Sequence, residues 1–268
     1  MDGYFNFSNS RLHYYKMGDG AHPLIALHGF GQTGALFLPL KESLGKRYTI
    51  YSFDFAWHGK TQWNETHALT KPAFIRMLDE FMRQHHCKKI SLLGFSMGGR
   101  VMLSLIPDIA EKLEDVILIA PDGIEERFYY RSFMSGKTGQ SVFREILRHP
   151  KLLIAAADAF SKIGLTKKYV ADYLKNYWAD EGKREKLFSV WLSMRTYRVN
   201  LGKIRAASEK HPVRIFLLWG SHDRMIPSRL AHHFKEKVPR CKLKMIDGGH
   251  FIVNEKLNPV IDGLLSHD

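Results

Sequence analysis

The chain has 268 residues, of which 45% are hydrophobic and 25% charged, and it carries 40 lysines and arginines against 27 aspartates and glutamates, a formal net charge of +13. Those proportions exclude a disordered or fibrous chain and suit one large α/β domain, or such a domain with an insertion. No apolar run is long enough to cross a bilayer, the opening Met1-Asp2-Gly3-Tyr4-Phe5 lacks the pattern of a secretory signal, and Cys87 and Cys241 stand at no metal or redox spacing, so a cytoplasmic protein is expected.

Residues 11–16 alternate in polarity, as in a half-exposed strand, whereas Pro23-Leu24-Ile25-Ala26-Leu27 is continuously apolar, as in a strand covered on both faces. Residues 48–53 are β-branched and aromatic and read as a third strand. Pro72 opens a helix that carries Phe74, Ile75, Leu78, Phe81 and Met82 on one stripe. Another apolar strand runs from Lys89 to Leu93, a helix follows from Gly99, and Val116-Ile117-Leu118-Ile119-Ala120 is again strand-like.

The alternation then stops. Residues 123–205 show helical spacing, as in Val142-Phe143, Ile146-Leu147, Tyr173-Leu174 and Tyr177-Trp178, before strands return at 213–219 and 242–246 and a last helix spans about 252–265. The expected fold is therefore α/β: a mostly parallel central sheet flanked by helices, built from residues 1–122 and 206–268, with a helical insertion at 123–205. The basic excess is concentrated around that insertion, since residues 121–207 hold 17 lysines and arginines against 9 aspartates and glutamates. Solvated helix faces account for most of that charge, and a field that draws an anionic small-molecule substrate is the other reading. Nucleic acid is not an expected partner, because no basic recognition helix or aromatic stacking motif occurs.

The chemistry is concentrated in Gly94-Phe95-Ser96-Met97-Gly98, which lies between a predicted strand and a predicted helix. A serine between glycines at such a turn has the pattern of a nucleophile elbow. A serine hydroxyl needs a base, and the base needs an orienting acid. In an open parallel sheet those groups gather at the carboxyl ends of strands. Asp223 follows the strand at 213–219 and His250 follows the strand at 242–246, in the chain order Ser96, Asp223, His250. Asp122, after the strand that ends at Ala120, is an alternative acid, and Asp247 is a weaker one. Donors for a developing oxyanion are expected from the backbone N–H of Met97 and, in the glycine-rich loop 27–33, from that of Phe30. In that loop His28 reads as a brace and Gln32 as a supplementary polar contact.

These stretches resemble the serine-type α/β-hydrolases over nearly the whole chain: His28-Gly29-Phe30-Gly31, Asp54 to Thr61, Gly94 to Gly99, Trp219 to Asp223, and Gly248-Gly249-His250. The second is similar to the family's Asp-x-Pro-Gly-His-Gly-x-Ser loop, but Ala56-Trp57 stand where Pro-Gly is usual and Thr61 replaces the serine. The resemblance implies a helical cap after the sixth strand, no metal or organic cofactor, and hydrolysis of an ester, thioester or C–C bond through an acyl-enzyme. Serine at position 96 disfavours the aspartate-dependent dehalogenases and epoxide hydrolases. Gly98-Gly99-Arg100-Val101 is similar to the menaquinone-pathway lyase that uses the same three residues on an anionic substrate, and small-ligand receptors also share the fold. Arg100, Arg127 and Arg131 are candidate carboxylate contacts, and Tyr129 and Trp178, with Phe128, Tyr130, Phe133, Trp191 and Tyr197, are candidate pocket walls. The oligomeric state is open.

Overall fold

The computed structural model describes residues 1–125, 136–149, 151, 154, 155, 159, 161 and 179–266. Eight strands form one sheet: β1 (Asp2–Phe7), β2 (Ser10–Met17), β3 (His22–Leu27), β4 (Tyr48–Phe53), β5 (Ile90–Phe95), β6 (Leu113–Ile119), β7 (Arg214–Gly220) and β8 (Lys242–Ile246), in spatial order β1-β2-β4-β3-β5-β6-β7-β8. The β1/β2 and β2/β4 pairs are antiparallel and all others are parallel. Burial explains the sequence patterns. The central β5 is buried at every position and β3, β6 and β7 are nearly so, which is why they read as unbroken apolar runs, whereas the edge strand β8 stays half-exposed and alternates.

The α-helices with defined bounds are α1 (Lys41–Leu44), α2 (Lys71–Gln84), α3 (Met97–Ile109), α4 (Lys137–Arg148), α5 (Glu181–Met194), α6 (Leu201–Lys210), α7 (Arg229–Lys237) and α8 (Asn258–Leu265). Thr70 caps α2 by accepting the Ala73 N–H, with Pro72 in the first turn as its sequence implies. The last helix begins later than the periodicity from Ile252 predicts. The Ile252 N–H turns back to the His250 carbonyl, Asn254 caps a short 3₁₀ turn at Glu255–Leu257, and Pro259 sits in the first turn of α8. β1 has no counterpart in the sequence reading. Its buried Phe5 and Phe7 alternate with exposed residues, and it turns into β2 at Ser8-Asn9, where Ser8 has φ 52°.

The chain divides into two compact units, Met1–Glu125 with Tyr197–Asp268, and Glu126–Thr196. The second lies inside the 123–205 segment, while residues 197–205 belong to the first. Within the second, Phe143 of α4 stacks on Trp191 of α5 at 4.9 Å and on Phe188 at 6.1 Å. Among the described residues no helix is long and apolar enough to cross a membrane.

One buried carboxylate ties the sheet together at the amino ends of its parallel strands. Asp115 on β6 is fully buried; it accepts bonds from Arg214 Nε at 2.6 Å and Nη2 at 2.8 Å on β7 and from the Tyr48 hydroxyl on β4. Burial, and then the Asp115 hydrogen bond, pushes the Tyr48 phenol far above its ordinary range. Removing one member of such a set strands the others. Asp115→Ala is expected to cost about 3 kcal/mol, read as a lower urea midpoint, while turnover per folded molecule holds because the set lies at the edge of the sheet opposite Ser96.

Candidate active site

Ser96 leaves β5 with φ 50° and ψ −113°, a left-handed conformation that side chains disfavour. The turn is held from both sides: the Ser96 N–H donates to the Ile119 carbonyl at 3.0 Å, and the Ser96 carbonyl accepts the N–H groups of Arg100 and Asp122, each at 3.0 Å. The two glycines are sterically required. A Cβ at Gly94 would stand 2.7 Å from the Gly98 carbonyl oxygen, and one at Gly98 would stand 2.0 Å from that of Leu27. Ser96 occupies the N-cap position of α3, where a serine ordinarily caps, but its hydroxyl makes no capping bond. Instead Oγ lies 3.0 Å from His250 Nε2.

His250 in turn places Nδ1 2.7 Å from Asp223 Oδ2. A carboxylate only accepts, so Nδ1 carries the ring proton and Nε2 is left to accept from the serine hydroxyl. Asp223 Oδ1 accepts the N–H groups of Met225 and Ile226, both at 2.8 Å, which orients the carboxylate. His250 and Asp223 are both buried. Their loops are laced together by His222 N–H to the Gly248 carbonyl and Ser221 N–H to the Ile246 carbonyl. The alternative acids lie elsewhere: Asp122 is half-exposed and 3.8 Å from Arg100, and Asp247 faces His222 on the surface.

The loop after β3 is braced by histidines. His28 donates from Nδ1 to the Gly29 carbonyl and accepts the Phe55 N–H at Nε2, as its bracing role requires. His58 repeats the arrangement, donating to the Ala56 carbonyl and accepting the Gly31 N–H at 3.1 Å. Each ring is thus held as the neutral Nδ1–H tautomer. Gln32 Oε1 accepts the Gly29 N–H at 3.1 Å, so it too closes the loop. Beneath them Asp54 accepts from His13 Nδ1 and from the N–H groups of Gly34 and Lys60. From the sequence neither His13 nor His58 takes an individual role, although His58 lies in the loop that resembles the family's supporting loop. The signal available for His58 is its place in the Asp54 to Thr61 loop, whereas the contact of His13 is made only by strand pairing.

Met97 opens α3, so its N–H belongs to the first turn, whose donors have no partner within the helix. Phe30 is half-buried, with its ring edge against His58 at 5.7 Å. Arg100 is buried, and its Nε donates to the Tyr197 carbonyl at 3.0 Å. Tyr197 is itself fully buried, with its hydroxyl on the Leu69 carbonyl and its phenol pushed well above its ordinary range by burial. Arg127, Phe128, Tyr129, Tyr130, Arg131, Phe133 and Trp178 lie outside the described residues. Phe251 and Met225 stand exposed beside His250 and Asp223.

The family profile that matches residues 22–257 is that of the alpha/beta hydrolase fold. The chain is 27% identical over 255 residues to the dihydrolipoyllysine-residue acetyltransferase component of the acetoin cleaving system of Cupriavidus necator, and the match covers 92% of this chain but only 64% of that protein. It is 27% identical over 238 residues to a Mycoplasma genitalium protein that carries an esterase/lipase name, with 84% and 81% of the two chains covered. Among solved structures, a thermophilic esterase from Thermogutta terrifontis with malate bound superposes at a TM-score of 0.70 and 17% identity, covering 99% of this chain and 97% of the other.

Alanine in place of a helical glycine ordinarily stabilises a helix by about 1 kcal/mol. At position 98 the approach of the Leu27 carbonyl reverses the sign. Gly98→Ala is expected to lower stability by roughly 1–3 kcal/mol, measured by thermal or urea unfolding, because the strand β3 carbonyl has no room to retreat.

Proposed function

The chain belongs to the alpha/beta hydrolase fold family, and we propose that it is a hydrolase that cleaves ester-like bonds, carboxylic esters or thioesters, with Ser96 as nucleophile. The observation that supports this most directly is the pair of distances 3.0 Å from Ser96 Oγ to His250 Nε2 and 2.7 Å from His250 Nδ1 to Asp223.

In the proposed reaction Ser96 Oγ attacks the substrate carbonyl carbon and its proton passes to His250 Nε2. Asp223 holds the ring in the tautomer that can accept and stabilises the imidazolium that results. The carbonyl oxygen becomes an oxyanion facing the N–H groups of Met97 and Phe30, each worth about 3 kcal/mol of transition-state stabilisation. Collapse expels the alcohol or thiol, which takes the proton back from His250. Water, deprotonated by the same ring, then releases the acid from the acyl-enzyme. In this reading Arg100 and Gln32 support the site from protein contacts of their own and do not hold substrate. The exposed Phe251 and Met225 favour an apolar acyl or leaving group. The reading of residues 123–205 as an inserted helical cap belongs to the same proposal.

Ser96→Ala is expected to abolish hydrolysis of p-nitrophenyl butyrate and labelling by a fluorophosphonate, a loss of about 10⁴-fold or more, with an unfolding midpoint no lower than that of the parent. Retention of both activities would overturn the assignment. Asp223→Asn is expected to cost about 10⁴-fold in kcat, whereas Asp122→Asn leaves kcat near the parent value.

A further inference from the structure

The loop from Asp54 to Thr61 carries a feature that the proposed chemistry leaves unexplained. Its first turn is closed by the His58 N–H donating to the Phe55 carbonyl at 2.9 Å, and the third residue of that turn, Trp57, has φ 62°. A turn with positive φ at its third position favours glycine there and proline before it. This chain has Ala56-Trp57 instead, which puts its bulkiest residue type where a side chain is least welcome. Such a residue persists where something else holds it, and strain of this kind clusters at binding sites.

Core packing does not account for all of it, because Trp57 keeps part of its surface open to solvent. Its ring meets Trp63 edge-on at 5.8 Å. Trp63, also half-exposed, is pinned in turn: its Nε1 donates to the His67 carbonyl at 3.0 Å, and the preceding Gln62 pairs through its backbone with Arg11 at 2.9 and 3.0 Å. The two indoles therefore make a surface that is rigid, apolar and partly open to solvent. It adjoins the proposed site, because His58, the next residue, accepts the Gly31 N–H and has its ring against Phe30.

We propose that Trp57, backed by Trp63, is a substrate-binding residue that stacks against an aromatic group of the ester. Ring stacking is directional and costs little side-chain entropy when the receiving ring is already fixed. The identity of the ligand as an ester rests on the function proposed above; the existence of the platform does not.

The test uses the whole chain and three esters: vinyl acetate, 2-naphthyl acetate and vinyl benzoate. In Trp57→Gly the ratio of kcat/KM for an aryl ester to that for vinyl acetate is expected to fall roughly 3- to 10-fold for at least one aryl ester. The unfolding midpoint holds or rises, because glycine suits φ 62°. Trp57→Phe keeps the ratio within about twofold. Trp57→Asn, a side chain tolerated at positive φ, repeats the test should the glycine variant fold poorly. Calorimetric titration of 2-naphthoate into Ser96→Ala, with and without Trp57→Gly, reads the platform without turnover, and the second substitution is expected to weaken binding by a similar factor. An unchanged ratio together with an unchanged Kd would overturn the proposal, as would a fallen midpoint with Kd unchanged, which marks Trp57 as a packing residue. Absence of turnover on every ester would sink the esterase reading while the calorimetry still decides the role of Trp57.

Discussion

The reversal of the chain at Ser96 is the constraint on which the rest of the site depends. β5 has to pass directly into α3 while its last residue stays at the sheet edge, and no ordinary backbone conformation does this. The reversal is possible because Gly94 and Gly98 present no Cβ to their neighbours, and it is stable because Ile119 at the end of β6 accepts the Ser96 N–H while Asp122 and Arg100 donate to its carbonyl. Its consequence is a hydroxyl that neither caps the helix nor packs in the core. It is left for the imidazole that β8 delivers from the far side of the sheet.

The sheet separates two duties by its ends. At the amino ends of the parallel strands Asp115 gathers Tyr48 of β4 and Arg214 of β7 into a set whose work is cohesion. At the carboxyl ends lie the turns after β3, β4, β5, β7 and β8, and with them the polar groups that the proposed reaction uses. Of the five non-glycine residues with positive φ among the described residues, Trp57, Ser96 and Ala120 follow the carboxyl ends of β4, β5 and β6. Three of the five thus lie at the end of the sheet where the proposed reaction takes place, and the buried parallel core beneath supplies the rigidity that keeps them in place.

Near the serine, neutral histidines brace the loop after β3, from which the proposed reaction draws one oxyanion donor. His28 and His58 each spend one nitrogen as donor and the other as acceptor on backbone groups, and Asp54 anchors the same region through His13 and two N–H groups. The loop is therefore pre-set before any substrate arrives, which is the condition under which backbone donors stabilise developing charge most effectively. The indole pair of Trp57 and Trp63 extends this fixed region outward, from a part of the loop whose chemistry is apolar.

Much of this was legible in the chain alone, for reasons of local physics. Parallel strands buried on both faces have to be continuously apolar, so β3, β5, β6 and β7 announce themselves. The turn at Ser96 needs glycines at fixed offsets, and Asp223 and His250 are marked by their position just after strands. β1 was missed because a polar, one-sided edge strand has only weak alternation, and α1 and α7 because short amphipathic helices owe their stability to packing rather than propensity. Local sequence could place Ser96, Asp223 and His250 at the rim of a sheet, but it could not bring the Asp223 carboxylate rather than that of Asp122 onto His250, commit Arg100 to the Tyr197 carbonyl or turn Gln32 inward. Those choices depend on which strands lie side by side and how far their loops reach, and such distances exist only once the chain has folded.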